Sequence, residues 1–228
     1  MEKKPITSGR RIGAENSAVR AQLLDATEAL MLQEGYAAVT SRRLAAKAAV
    51  KQSLVYYYFR TMDDLFLAVF RRMSEQGLQR LQEALASEQP MRALWTLHSD
   101  HSRTALTNEF HALANHRKVV QAEIARSATR IRNLEVKALG QLFEHRGIDP
   151  QIPPLVVSVL LSSLARTLVQ ESALGISKGH PPTQSFVEAC LQDFEQRGNA
   201  YAPVGEMIRA QAPRATTASG RQRRKPSR

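Results

Sequence analysis

TSRRLAAKAAVKQSLVYYYF, running from Thr40 to Phe59, reads as two short helices joined by a tight turn. In the first, Leu44, Ala45 and Ala48 recur at helical spacing. Thr40 stands where a hydroxyl can accept an otherwise unpaired backbone N–H at the helix start. The second helix begins near Lys51 with Gln52 and Ser53, followed by Leu54, Val55 and three tyrosines. Side chains of this kind on an outer helix face suit a DNA major groove, because they reach base edges and phosphates. Spacing alone also fits an ordinary helical hairpin whose polar residues face water.

Working outward, the pattern lengthens. Arg20, Leu23, Leu24, Ala26, Leu30 and Met31 precede Glu34-Gly35-Tyr36 and Thr40, and Tyr56, Tyr58 and Phe59 lead into Asp63, Asp64 and Leu65. From about Arg20 to Leu65 the chain therefore resembles the N-terminal domain of the tetracycline-repressor (TetR) family. The resemblance implies an all-α protein: a three-helix, homeodomain-like helix-turn-helix head followed by a helical ligand-binding and dimerisation domain. Two positions depart from the family pattern. Ala49 stands where the inter-helix turn usually has Gly, and Met62 stands where a Lys usually follows the Phe. Ala49 must either adopt an ordinary turn or cost some stability, since Gly alone takes φ > 0 without strain.

Roles within the motif follow from side-chain chemistry. Thr40, Tyr56 and Tyr57 are expected at phosphates, with Ser41, Arg42 and Arg43 beside the DNA backbone, fixing affinity and register. Lys51, Gln52, Ser53 and Leu54 are expected at bases, where Lys suits guanine, Gln adenine and Leu a thymine methyl. Leu44, Val50, Val55 and Phe59 read as core. Tyr58 fits either a buried hydrogen bond or a DNA contact.

The formal net charge of +11 becomes informative once divided along the 228 residues. Residues 1–62 hold ten Lys/Arg against five Asp/Glu, residues 63–206 hold 15 against 16, and residues 207–228 hold seven against none. A basic head on a near-neutral body, with a basic end, points to a polyanion partner. Residues 1–16 read as a flexible basic arm and 199–228 as a disordered basic tail, able to add non-specific DNA contact. Residues 17–62 then form the head and 63–198 the helical body. The single cysteine, Cys190, rules out an intrachain disulfide framework, and the polar N-terminus lacks an apolar leader, so a cytoplasmic protein with no membrane partner is expected. Ile152–Ala165 reads as a buried core helix.

In the body, Asp63–Ala86 reads as one long helix with acidic residues in its first turn, where they complement the helix dipole. Pro90–Arg103 and Thr104–Asn115 read as two shorter helices, followed by a long one to about Arg146. Trp95, Leu94, Leu97, Phe110 and Leu113 are mostly core. Where the family would line an apolar ligand cavity, the matching residues are Trp95, His98, Phe110 and Leu113. His98 and His101 share a helix face at a three-residue spacing, but a metal site needs more converging ligands, so no metal is expected. Glu109, Glu123 and Glu135 alternate with arginines as on a solvated helix face, and no catalytic constellation or cofactor motif stands out.

Two last helices are expected. Leu155, Val156, Val159, Leu160, Leu164, Leu168 and Val169 make the first apolar over a wide arc. A turn-rich break spans Gly175–Pro182, and Thr183–Arg197 carries Phe186, Val187, Cys190, Leu191 and Phe194. By the family's precedent these form a homodimer interface, with Leu160, Leu164, Leu168, Phe186, Cys190 and Phe194 as its candidate residues. The expected function is a sequence-specific transcriptional regulator, acting as a repressor at an inverted-repeat operator on double-stranded DNA and released by an unidentified small apolar ligand. The alternative is a non-specific DNA-coating protein led by its basic ends.

Overall fold

The computed structural model describes residues 17–148 and 152–197, so the basic arm and the basic tail lie outside it. Every regular element among the described residues is helical. The chain divides into two compact units between Lys178 and Gly179.

Helix α1 (Ala18–Glu34) ends at Gly35, whose backbone at φ 82° lets its N–H turn back onto the Met31 carbonyl at 3.0 Å. A single 3₁₀ turn (Tyr36–Ala38) leads to α2 (Ser41–Lys47) and α3 (Gln52–Tyr58). The Thr40 hydroxyl accepts the Arg43 N–H and caps α2. Helix α4 (Met62–Leu85) opens with a reciprocal cap: Thr61 Oγ1 accepts the Asp64 N–H at 3.1 Å, and Asp64 Oδ2 accepts the Thr61 N–H at 3.0 Å. After it come α5 (Pro90–His98), a 3₁₀ turn (His101–Arg103), α6 (Thr104–His116), α7 (Lys118–His145) and α8 (Pro154–Ala173).

The apolar residues of α1 to α4 do not close a core of their own. Leu23, Leu30, Leu44, Val55, Phe59, Leu65 and Val69 share one cluster with Phe110 and Leu113 of α6 and Val120 of α7. No break in the core falls at residue 62. The Phe70 and Phe110 rings meet edge to face, 5.3 Å apart, an arrangement their quadrupoles favour. Farther along, α4 packs on α5 and α7, and α8 packs on α5 and α7. Leu81, Leu94, Leu139, Phe143 and Ala165 are buried there.

Three expectations need adjustment. Helix α5 stops at His98 rather than running to Arg103, because Asp100 accepts the Ser102 N–H at 2.9 Å and starts a separate turn. His98 and His101 therefore do not share a helix. Helix α8, read as a buried core helix, has one open side in the single chain: Leu155, Val156, Val159 and Leu160 are 50%, 40%, 41% and 57% exposed. By length and composition α8 could cross a membrane, yet its Ser158 and Ser162 are buried. In the second unit, α9 spans His180–Arg197, three residues longer at its start than the sequence suggests. Pro181 and Pro182 are tolerated there because first-turn N–H groups have no intrahelical acceptor. His180, Val187, Leu191 and Phe194 are buried among its described residues.

Candidate nucleic-acid interface

Helix α3 is anchored by Val55, and Phe59 behind it is equally buried. That places Lys51, Gln52 and Ser53 outward together at the start of the helix, with Leu54 half-buried beside them. Tyr56 and Tyr57 are exposed on the same element. The polar groups are tied to one another. Gln52 Nε2 donates to Ser41 Oγ at 2.9 Å, and Ser41 Oγ shares a 2.8 Å hydrogen bond with the Tyr56 hydroxyl. Ser41 thus joins α2 to α3 and orders two side chains expected at the DNA. Lys51 sits at the N-cap of α3 in extended backbone, with its side chain exposed.

The turn between the helices settles what Ala49 does. It takes φ 52°, the left-handed region, as the only described non-glycine residue with positive φ. The Ala49 N–H bonds the Ala46 carbonyl at 3.2 Å, and the Val50 N–H bonds the Ala45 carbonyl at 2.9 Å. This is the double-bonded helix terminus that usually carries Gly. The Gln22 amide also donates to the Ala48 carbonyl at 2.8 Å, fixing the turn to α1. Of the two alternatives for Ala49, strained backbone is the one observed.

Charge on this face is uneven. Arg43 is ion-paired with Glu34, so part of its charge is spent within the protein. Arg42 and Lys51 are exposed, and no carboxylate among the described residues is paired with either. Tyr58 is half-buried, and its hydroxyl is hydrogen-bonded to Ser17 at 2.7 Å. It has a structural role at the start of α1, and its ring meets that of Tyr57 edge-on at 5.1 Å. Val50 packs against the core but is only partly covered. Lys47, within the motif, and Arg60, just after it, are also exposed. Their position in the sequence is the one signal that marks them.

The head is wired to the body by polar contacts the sequence did not disclose. The Tyr36 N–H donates to Glu109 Oε2 at 2.7 Å. Arg117 pairs with Asp63 at 3.2 Å, and Arg72 pairs with both Asp25 and Glu28 at 2.7 Å. Glu123 is held between Arg71 and Arg126, whose hydrogen bonds pull its carboxyl down to about 2. Glu135 is 1% exposed. The expectation that Glu109, Glu123 and Glu135 lie on a solvated face is therefore corrected: each is committed to a partner on another element, Glu135 to Ser158.

The candidate pocket residues differ in burial. Phe110 and Leu113 are fully buried in the core shared by α1, α4 and α6, where they fill space rather than line it. Trp95 is half-buried on α5. His98 borders a cavity. Of the candidate interface residues on α8, Leu160 is exposed, Leu164 half-buried and Leu168 buried. On α9, Phe186 and Cys190 are half-buried and Phe194 is buried. Burial lifts the Cys190 thiol above its usual value, and the Asp193 charge adds to that.

Comparison with known proteins agrees with the sequence reading of the head. Residues 23–69 match the model of the bacterial regulatory proteins of the tetR family. None of the curated proteins matches the chain. Among solved structures, one assigned as a TetR-family transcriptional regulator from Rhodococcus superposes with a TM-score of 0.65 at 17% identity, covering 79% of this chain and 100% of the other. A transcriptional regulator from Saccharomonospora viridis in complex with choline gives 0.64 at 15% identity, over 79% of this chain and 96% of that one. The regulator FadR from Bacillus subtilis, in complex with stearoyl-CoA, gives 0.54 at 17% identity over 67% and 88%. At these identities the solved structures share the fold.

Proposed function

We propose that the chain, whose residues 23–69 match the tetR family of bacterial regulatory proteins, is a DNA-binding transcriptional regulator that acts as a homodimeric repressor. In this reading two heads engage an inverted-repeat operator, and a small ligand in the helical body releases them. The observation that carries it is the outward cluster of Lys51, Gln52 and Ser53 at the start of α3, braced by Ser41 and Tyr56. A helix presented by its N-terminal residues is how such motifs read the major groove.

Dimerisation is supported by the exposed Leu155, Val156, Val159 and Leu160 on α8. They lie at positions i, i+1, i+4 and i+5 and so share one side of the helix. A second copy would cover them. Ligand control is supported by the choline and stearoyl-CoA held by proteins of the same fold. The bonds from Glu109 to Tyr36 and from Arg117 to Asp63 give movements of α6 and α7 a mechanical route to the head. A ligand that favours one arrangement of those helices would shift the spacing of the two heads.

Selection from a random duplex library tests the central statement. Enrichment of a single inverted repeat, with half-sites about one helical turn apart, is the expected result. Recovery of duplexes without any common motif would replace sequence reading by non-specific coating.

A further inference from the structure

Between the end of α5, the first turn of α6 and the middle of α8 lies a cavity of about 180 Å³. We propose that it is the binding site for a small organic acid, held through its carboxylate by Arg103 and Arg166. The assignment deepens the ligand-controlled reading above by naming the class of ligand.

Its chemistry differs from the apolar cavity the sequence suggested. Leu97 is the one large apolar side chain of the wall, and Thr104, Thr107, Asn108 and Gln170 supply neutral hydrogen-bonding groups. Two guanidiniums line it. Arg103 is half-buried and donates to the Met73 carbonyl at 2.9 Å; burial and the nearby Arg80 charge disfavour its cationic form, and the Glu28 and Asp100 charges only partly offset them. Arg166 is exposed at the rim, and no carboxylate among the described residues is paired with it. Its positive field reaches His111, whose pKa falls through burial first and Arg166 second. The only carboxylate of the wall, Asp100, is already engaged by Arg80 at 3.1 Å and by the Ser102 N–H. Positive charge is therefore in surplus.

The floor is rigid. His98 Nε2 lies 3.1 Å from Oε1 of the buried Glu135. Ser162 accepts from Arg132 Nη1 at 3.2 Å, and the same Arg132 nitrogen donates to Ser158 at 2.9 Å. Ser158 in turn donates to Glu135. Burial pushes the Glu135 carboxyl up, but His98, Ser158 and Arg132 together outweigh it and hold the group below its usual value. The buried Glu135 charge is countered by His98 and Arg132 and by the Ser158 hydroxyl on Oε2, although Oε1 accepts no hydrogen bond, and an anion in the cavity would face the two arginines of its wall. A paired polar network of this kind holds its geometry, and guanidinium forks match carboxylates in shape as well as charge. The volume corresponds to about six waters, which suits a short or single-ring acid and excludes a long acyl chain.

The test uses the full chain without DNA, so it is independent of operator binding. Thermal unfolding is followed with acetate, succinate and benzoate, each beside its neutral amide, and with inorganic phosphate at the same ionic strength. The expected result is a saturable rise in Tm of about 5 °C with at least one of the acids and none with its amide. Arg166→Gln, at an exposed position, should weaken that binding about tenfold or more, and Arg166→Lys should restore part of it. Asn108→Leu, also exposed, should narrow the cavity and weaken it without altering charge. Equal stabilisation by acid and amide, stabilisation by phosphate alone, no response to any of the acids, or an Arg166→Gln protein that binds as well as the parent would each overturn the assignment. If the operator is bound while no acid stabilises the chain, the site fails and the regulator reading stands.

Discussion

Glu109 on α6 accepts the Tyr36 backbone N–H at 2.7 Å, 73 residues away in sequence and immediately after the glycine that ends α1. A Cβ built on Gly35 would meet the Glu109 carboxylate at 3.5 Å, an ordinary contact, so it is the backbone at φ 82° and not this approach that calls for glycine. A side chain from the helical body thus satisfies a backbone donor of the helix-turn-helix head.

Removing that acceptor leaves a partly buried N–H unpaired, which costs about 1–3 kcal/mol. Glu109→Leu should therefore lower Tm by several degrees and weaken DNA binding, although residue 109 lies outside the helix-turn-helix. Glu109→Gln, which keeps an acceptor, should retain most of both. A Leu variant with the parent's Tm and DNA affinity would show that the bond couples nothing.

Ala49 invites the opposite change. A residue with a Cβ held at φ 52° carries a cost of roughly 1 kcal/mol that Gly does not. Ala49→Gly should raise Tm by about 2–4 °C, read by circular dichroism on the full chain, with no loss of DNA binding.

Acid should loosen the contact between α4 and α7. The Glu123 carboxyl sits near 2 in the folded chain because Arg71 and Arg126 hydrogen-bond its charged form. A depressed folded pKa means that the stabilisation is complete above the unfolded value near 4.5 and is lost as pH falls toward 2. Pairs this near the surface contribute about 1 kcal/mol or less. Glu123→Gln should consequently be less stable than the parent at neutral pH, and urea titrations should find the gap closing between about pH 4.5 and pH 2.

At the interface, Lys51→Ala and Tyr56→Phe should fail differently. The first should relax base preference at one position of the selected site and lower the salt dependence of binding. The second removes a hydroxyl, so it should weaken all duplexes alike with the salt slope unchanged. Ser41→Ala should reproduce part of both, because Ser41 holds Gln52 as well as Tyr56. Competition binding on matched and mismatched duplexes separates the three.

For assembly, Leu160→Glu places a charge on the exposed side of α8. Sedimentation should show a monomer with an unchanged helical spectrum and much reduced affinity for an inverted repeat. A dimer that survives this change would locate the interface elsewhere.

The sequence alone determined the head, because its signals are local. Thr40, Gly35 and the acidic Asp63 and Asp64 act within a turn of the helices they bound, and the apolar spacing of Leu23 to Met31 marks a single face. The outward Lys51, Gln52 and Ser53 follow from Val55 and Phe59 pointing the other way. What only the tertiary structure decided is where each charge of the body finds its partner. Glu123 and Glu135 look alike on one helix, each near arginines in sequence. One is clamped by Arg71 of α4, and the other is buried against His98 of α5 and Ser158 of α8. The same limit explains Phe110 and Leu113, apolar residues that sequence could place in a cavity wall or in a core with equal ease. Periodicity gives the face of a helix, but which helix covers that face depends on contacts far apart in the chain, and those determine whether an acid is solvated, paired or buried.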